Sequence, residues 1–209
     1  MAKTQTLEDF YLQKMNWLPD NLKKDIGHFN VFRTEDCVGP GKTPVQYTRR
    51  DFYKIALLRG RFIYHYADKS LEVSGTTLIF FNPSVPYTYE QLSDDATGYF
   101  CIFKEAFFTE RLKGGIRDLP MFVAGNKPSY TLNRTQDKYV SRVFDKMLEE
   151  IGSDYMYKYD LIRNYIMEMI HYALKIQPTE KLYQHADANT RITTVFTVLL
   201  DRELPIEST

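Results

Sequence analysis

A chain of 209 residues, 44% hydrophobic and 15% aromatic, can bury a substantial core, which excludes wholesale disorder. Its 27 basic and 27 acidic residues cancel, whereas a surface that grips nucleic acid carries a basic excess, so this stretch is not expected to hold DNA itself. Two cysteines are too few for a disulfide framework, the start MAKTQTLEDF lacks a signal-peptide core, and no apolar run approaches the roughly 20 residues of a membrane span. These features predict a cytoplasmic protein with no membrane partner.

In chain order, Leu7 to Lys14 reads as a short helix capped by Thr6. A loop containing Val38-Gly39-Pro40-Gly41 follows, then a series of short strands: 29–34, 44–48, 51–59, 61–66, 70–73, 77–81 and 98–103. Val31, Ile55, Ile63, Val73 and Ile79, with many Tyr and Phe, supply the β-branched and aromatic bias of strands. Gly60, Asp68-Lys69, Ser74-Gly75 and Asn82-Pro83 punctuate them, and this spacing predicts a sandwich or barrel.

The character changes near Asn133, which with Gln136 forms an approximate capping box. Tyr139, Val140, Val143, Phe144, Met147, Leu148 and Ile151 trace one face of a helix ending at Gly152. A second helix carries Leu161, Ile162, Tyr165, Ile166, Met169, Ile170 and Ala173 and stops before Pro178; the short connection makes the two antiparallel. A third starts near Asn189 with Ile192, Val195, Phe196, Leu199 and Leu200 apolar, and stops before Pro205. Either the chain's own strands or a second subunit can cover these stripes.

Two blocks carry a resemblance. Arg50 to Gly60 through Leu78-Ile79-Phe80-Phe81-Asn82-Pro83-Ser84-Val85-Pro86-Tyr87-Thr88-Tyr89 resembles the sensor domain of AraC-type transcription regulators, with Gly75 before the apolar strand and Pro83 to Tyr89 as the corner. The ending ITTVFTVLLDRELPI resembles the connector helix before the DNA-binding half of those regulators. The resemblance covers most of the chain from about Gly27. It implies a mainly β plus α fold: a cupin-like jelly-roll barrel with a short N-terminal helix over 1–132, a helical hairpin for dimerisation or barrel packing over 133–178, and a connector over 179–209. It further implies a small-molecule effector, a homodimer, and DNA contact only through a C-terminal helix-turn-helix domain outside this chain.

Within that frame the candidate effector site is Tyr89, Tyr87, Arg50, Tyr53 and Lys54. Tyr89 matches a corner tyrosine of the family's sugar pocket. Tyrosines offer a flat apolar face with a hydroxyl, and Arg50 and Lys54 suit a carboxylate or phosphate; the alternative for each is plain packing or a solvated strand position. The candidate dimerisation residues are Val143, Met147, Ile162, Ile166 and Met169.

Metal-binding cupins are marked by a His-x-His and Glu in the first motif and a His at the corner. Here Phe52 to Phe62 contains no His, the corner holds Tyr87, and His65 is isolated, so no metal or other cofactor and no catalytic residue is expected. A cupin-fold enzyme or a stand-alone small-molecule binding protein are the alternatives. Gly41-Lys42-Thr43 lacks the rest of a phosphate loop, Asn133-Arg134-Thr135 lacks a secretory context, and Cys101 reads as a core strand position.

Overall fold

The computed structural model describes residues 4–19, 22, 28–37, 48–66, 69–93, 95–108, 115–123 and 128–176. The expected third helix and connector, and most of the expected strand at 44–48, lie outside them. Helix α1 is Leu7–Lys14, and strands are β1 Phe29–Arg33, β2 Tyr53–Tyr66, β3 Lys69–Phe81, β4 Tyr87–Gln91, β5 Thr97–Phe103 and β6 Ser129–Thr131. Helices α2 Arg134–Ile151 and α3 Lys158–Ile176 follow. The fold is thus an antiparallel sheet followed by a helical hairpin, as the sequence predicts.

Sheet order is β1-β5-β2-β3-β6, with β4 also on β2. Lys54 to Arg59 of β2 pair with β3 on one side and β5 on the other. Further along, Phe62 to Tyr66 keep β3 but exchange β5 for β4. The β2–β3 hairpin therefore runs through two half-sheets.

That continuity corrects the expected break at Gly60 and Gly75, which pair with each other inside the hairpin. A side chain at Gly60, where φ is +124°, would meet Ser93 Oγ at 2.6 Å; one at Gly98, where φ is +149°, would meet the Leu57 carbonyl at 2.0 Å. Glycine marks close approach of neighbouring chain here, where β5 gives way to β4, and not a turn. Strands β4 and β6 are additions to the predicted set.

Strand alternation gives the sheet two distinct faces. On one, Tyr53, Ile55, Leu57, Leu78, Phe80, Tyr99, Cys101 and Phe103 pack against α2 and α3. On the other, Ala56, Leu58, Phe62, Tyr64, Ile79, Phe81, Phe100 and Ile102 pack with Leu7, Phe10 and Tyr11 of α1. Helices α1 and α2 begin with complete capping boxes, Thr6 with Asp9 and Asn133 with Gln136, each satisfying backbone donors that the first turn leaves free. The Tyr139–Tyr172 stack and the bond from Lys158 Nζ to the Ile151 carbonyl join opposite ends of α2 and α3, so the pair is antiparallel.

All five residues expected to form a dimer surface, Val143, Met147, Ile162, Ile166 and Met169, are buried in the core that the helices share with their own sheet. Fully covered side chains cannot meet a second subunit, so their stripe serves the packing alternative. Arg59 to Asp137 (2.7 Å) and Ser141 (2.5 Å), and Arg163 to the Phe107 carbonyl (2.6 Å), fix the helices at the rim.

Candidate effector site

The candidate site occupies the α1 face. Arg50, just before β2, is held between α1 and β4: residues 49 to 51 bond to Gln5 ahead of the helix, and Thr48 bridges Tyr87. Arg50 is buried, with Nη1 donating to the carbonyls of Thr48 (3.2 Å) and Tyr87 (3.1 Å) and its guanidinium 3.7 Å above the Tyr87 ring. Tyr87 in turn stacks on Phe81 at 4.3 Å. Arg50 and Tyr87 thus brace the strand corner against the sheet.

Lys54 stands on the same face of β2 in different company. Its ammonium lies 4.4 Å from the Phe100 ring centre, 5.7 Å from Tyr89 and 5.9 Å from Phe81. Tyr89 stacks on Tyr64 at 5.5 Å, and Tyr64 packs on Phe81 at 5.4 Å, closing an aromatic wall. Cation–π attraction offsets part of the cost of placing an ammonium there, but no described carboxylate pairs with it. Burial, reinforced by the charges of Arg50 and then Lys14 against the opposing influence of the Cys37 and Cys101 thiols, pulls the Lys54 amine down to about 7. Burial also pushes the Tyr89 phenol up to about 12, and those of Tyr64 and Tyr87 above their ordinary value, so all three are neutral hydrogen-bonding groups at physiological pH.

Four of the five predicted residues, Tyr87, Tyr89, Arg50 and Lys54, come together. Tyr53 does not. Its neighbour Lys54 faces α1, so alternation turns Tyr53 to the helix face, where it stacks on Phe103 at 5.5 Å and meets Phe122 edge-on. Sequence reasoning missed Tyr64, Phe81, Phe100 and Lys14. The first is readable from β2 periodicity, since Tyr64 lies an even number of positions from Lys54; Lys14 is not, because it arrives from α1.

Behind this group, His28 Nε2 and the Tyr11 hydroxyl are 2.7 Å apart, and Asn30 Nδ2 donates to Tyr11 Oη at 3.0 Å. This buried chain ties α1 to β1. Burial, with a smaller contribution from Lys104, lowers His28 to about 4, so the imidazole is neutral. Its Nδ1 has no hydrogen-bond partner among the described residues. Among the described residues no three His, Cys, Asp or Glu side chains are grouped to hold a metal, and no helix is long and apolar enough to cross a membrane. His65 instead contacts Ser70 and Glu90.

No protein-family description and no curated protein matches the chain. Solved structures give remote likenesses. ToxT K231A from Vibrio cholerae aligns with a TM-score of 0.47 at 12% identity, covering 88% of this chain and 67% of ToxT. The AraC-like transcriptional activator CuxR aligns at 0.43 and 13% identity, covering 74% and 60%. A cupin 2 conserved barrel domain protein from Salinispora arenicola aligns at 0.32 and 12%, covering 47% and 78%. Regulators and cupin proteins are both among the neighbours. Against a second ToxT structure the chain spans 56% of that protein's length. Likenesses this distant say nothing about residue roles.

Proposed function

We propose that this chain is the effector-sensing part of an AraC-type transcription regulator, non-enzymatic and cytoplasmic, which binds a small molecule without a metal on the α1 face of its sheet. The observation that carries the reading is the Lys54 ammonium, set among Phe81, Tyr89 and Phe100 without a carboxylate partner among the described residues. A ligand site needs an apolar wall and a few oriented polar groups, and this face supplies both. Among the described residues the helix face holds no buried Lys or Arg, and it serves as the support. In this reading DNA is engaged by a C-terminal domain outside these residues, and a homodimer uses a surface other than the five buried helix positions. An effector acts by favouring one arrangement of α1 and sheet over another.

The test is a thermal-shift screen of small metabolites, with each hit repeated on Lys54→Met and Tyr89→Ala. A hit abolished by both variants supports the site; hits that survive both place binding elsewhere and sink this reading. Reading the gene past Thr209 tests the regulator assignment independently: two helix-turn-helix units support it, and a stop codon overturns it.

A further inference from the structure

Acidic and basic residues balance over the whole chain, but α2 sorts them by use. Asp137 accepts from Arg59 at 2.7 Å and Asp145 from Arg33 at 3.0 Å, so both are spent on the rim of the sheet. Glu150 accepts from Ser153 at the far end of the helix. Arg134, Lys138, Arg142 and Lys146 follow one another at intervals of four, which sets them in a row along the helix. The first three are exposed, and none of them pairs with a described carboxylate. Lys146 is partly engaged, 4.0 Å from Glu168 and 5.2 Å from the Tyr165 ring centre. Thr135 and Tyr139 flank the row, and Glu149 ends it.

This arrangement works against the helix twice. Like charges four apart repel, and basic residues in a first turn oppose the helix dipole. Among the described residues nothing compensates the first three cations; an anion laid along the row would. We propose that this row on α2 is a contact surface for the phosphate backbone of duplex DNA, engaged without regard to base sequence. The proposal stands apart from the sensor reading, which leaves DNA to a C-terminal domain. Zero net charge argues against a chain that is basic throughout, but it does not bear on one segregated row.

Charge complementarity selects the partner. Helical rise places successive members of the row about 6 Å apart and its ends about 18 Å apart, so it presents a line of positive charge to the line of negative charge on a duplex. A protein partner asks for an apolar centre from which charge is depleted, whereas here the centre is the charge. A membrane asks for an apolar helix face to insert. The apolar residues of α2, Val140, Val143, Phe144 and Met147, are buried against its own sheet.

The experiment titrates a fluorescent duplex of about 20 base pairs with the whole 209-residue protein and follows anisotropy at rising salt. Expected is saturable binding at about 20 mM NaCl that weakens about 40-fold by about 80 mM, the slope of three displaced counterions. Arg134→Glu with Arg142→Glu weakens binding more than about tenfold, and Lys138→Gln alone flattens the salt slope by about one unit. The control pair Arg49→Glu with Arg61→Glu changes two other exposed cations to the same net charge and stays within about threefold of the unsubstituted protein. Equal weakening by the two pairs, or no saturable binding at the lowest salt, overturns the proposal. So does tighter binding of poly-glutamate or of phosphatidylglycerol vesicles through Arg134 and Arg142, which would assign the row to an acidic protein or a membrane. None of these results touches the sensor reading, whose test is at Lys54 and Tyr89.

Discussion

The two faces of the sheet are built from the same strands and are close to equally buried, yet their contents differ in kind. Between sheet and helix pair, Phe80, Phe144, Met147, Ile162, Ile166 and Met169 fill the space with apolar side chains, and the charged contacts stay at the rim. On the α1 face, Tyr64, Tyr87, Arg50, Lys54 and His28 are set among the rings, with no carboxylate on Lys54 and no hydrogen-bond partner on His28 Nδ1 among the described residues. The helix side maximises packing; the α1 side carries groups that cost stability, and the proposed sensing role accounts for their presence.

The largest effect expected from that contrast is on the helix side. Phe144→Ala removes a fully buried ring stacked on Tyr99 and should lower unfolding free energy by roughly 3–5 kcal/mol in urea titration, with no special pH dependence. A loss below about 1 kcal/mol would break the comparison, because it would mean the helices contribute little packing.

The next effect is confined to acid. His28 is held neutral when folded, with its pKa about 4 against the ordinary 6.5, so the unfolded chain takes up a proton that the native state refuses. Stability should fall by about 3 kcal/mol as pH drops from 6.5 to 4 and gain no further slope from this group below that. In His28→Gln that part of the slope disappears; an unchanged slope would assign the acid sensitivity elsewhere.

A third effect has the opposite sign. Lys54 folds with its amine pulled below the unfolded value, so the cost is fully present below pH 7 and vanishes as pH rises towards 10.5. Lys54→Met should therefore stabilise the protein at pH 7 in urea titration and show no gain near pH 10.5. Destabilisation at pH 7 would mean that Lys54 holds the structure together and is not a binding group.

Features governed by near neighbours in the chain were legible in the sequence. Thr6 and Asn133 start their helices because a capping box involves only residues three apart, and Gly152 ends α2 where the periodicity stops. Features set by partners distant in the chain were less so. The stripe of Val143 and Ile162 has the same spacing whether a sheet or a second subunit covers it. Gly60 and Gly75 suggest turns until their pairing partners are known. Tyr53 is a different case, since strand alternation alone separates it from Lys54, and grouping the two in one pocket overlooked that rule. Lys14 reaches the site only through tertiary packing, and no local pattern announces it.

The hairpin of β2 and β3 also bears on the order of assembly. Its thirteen paired positions join segments adjacent in the chain, so it closes a short loop and needs no other element to begin. β1 must find β5 across most of the sheet-forming sequence, pairing Phe29 with Phe103, and α1 docks through residues still nearer the start. Elements that depend on such long closures are gained late in folding. The surface around Lys54 is therefore expected to be completed by α1 after its floor has formed, and to open before the hairpin in hydrogen exchange.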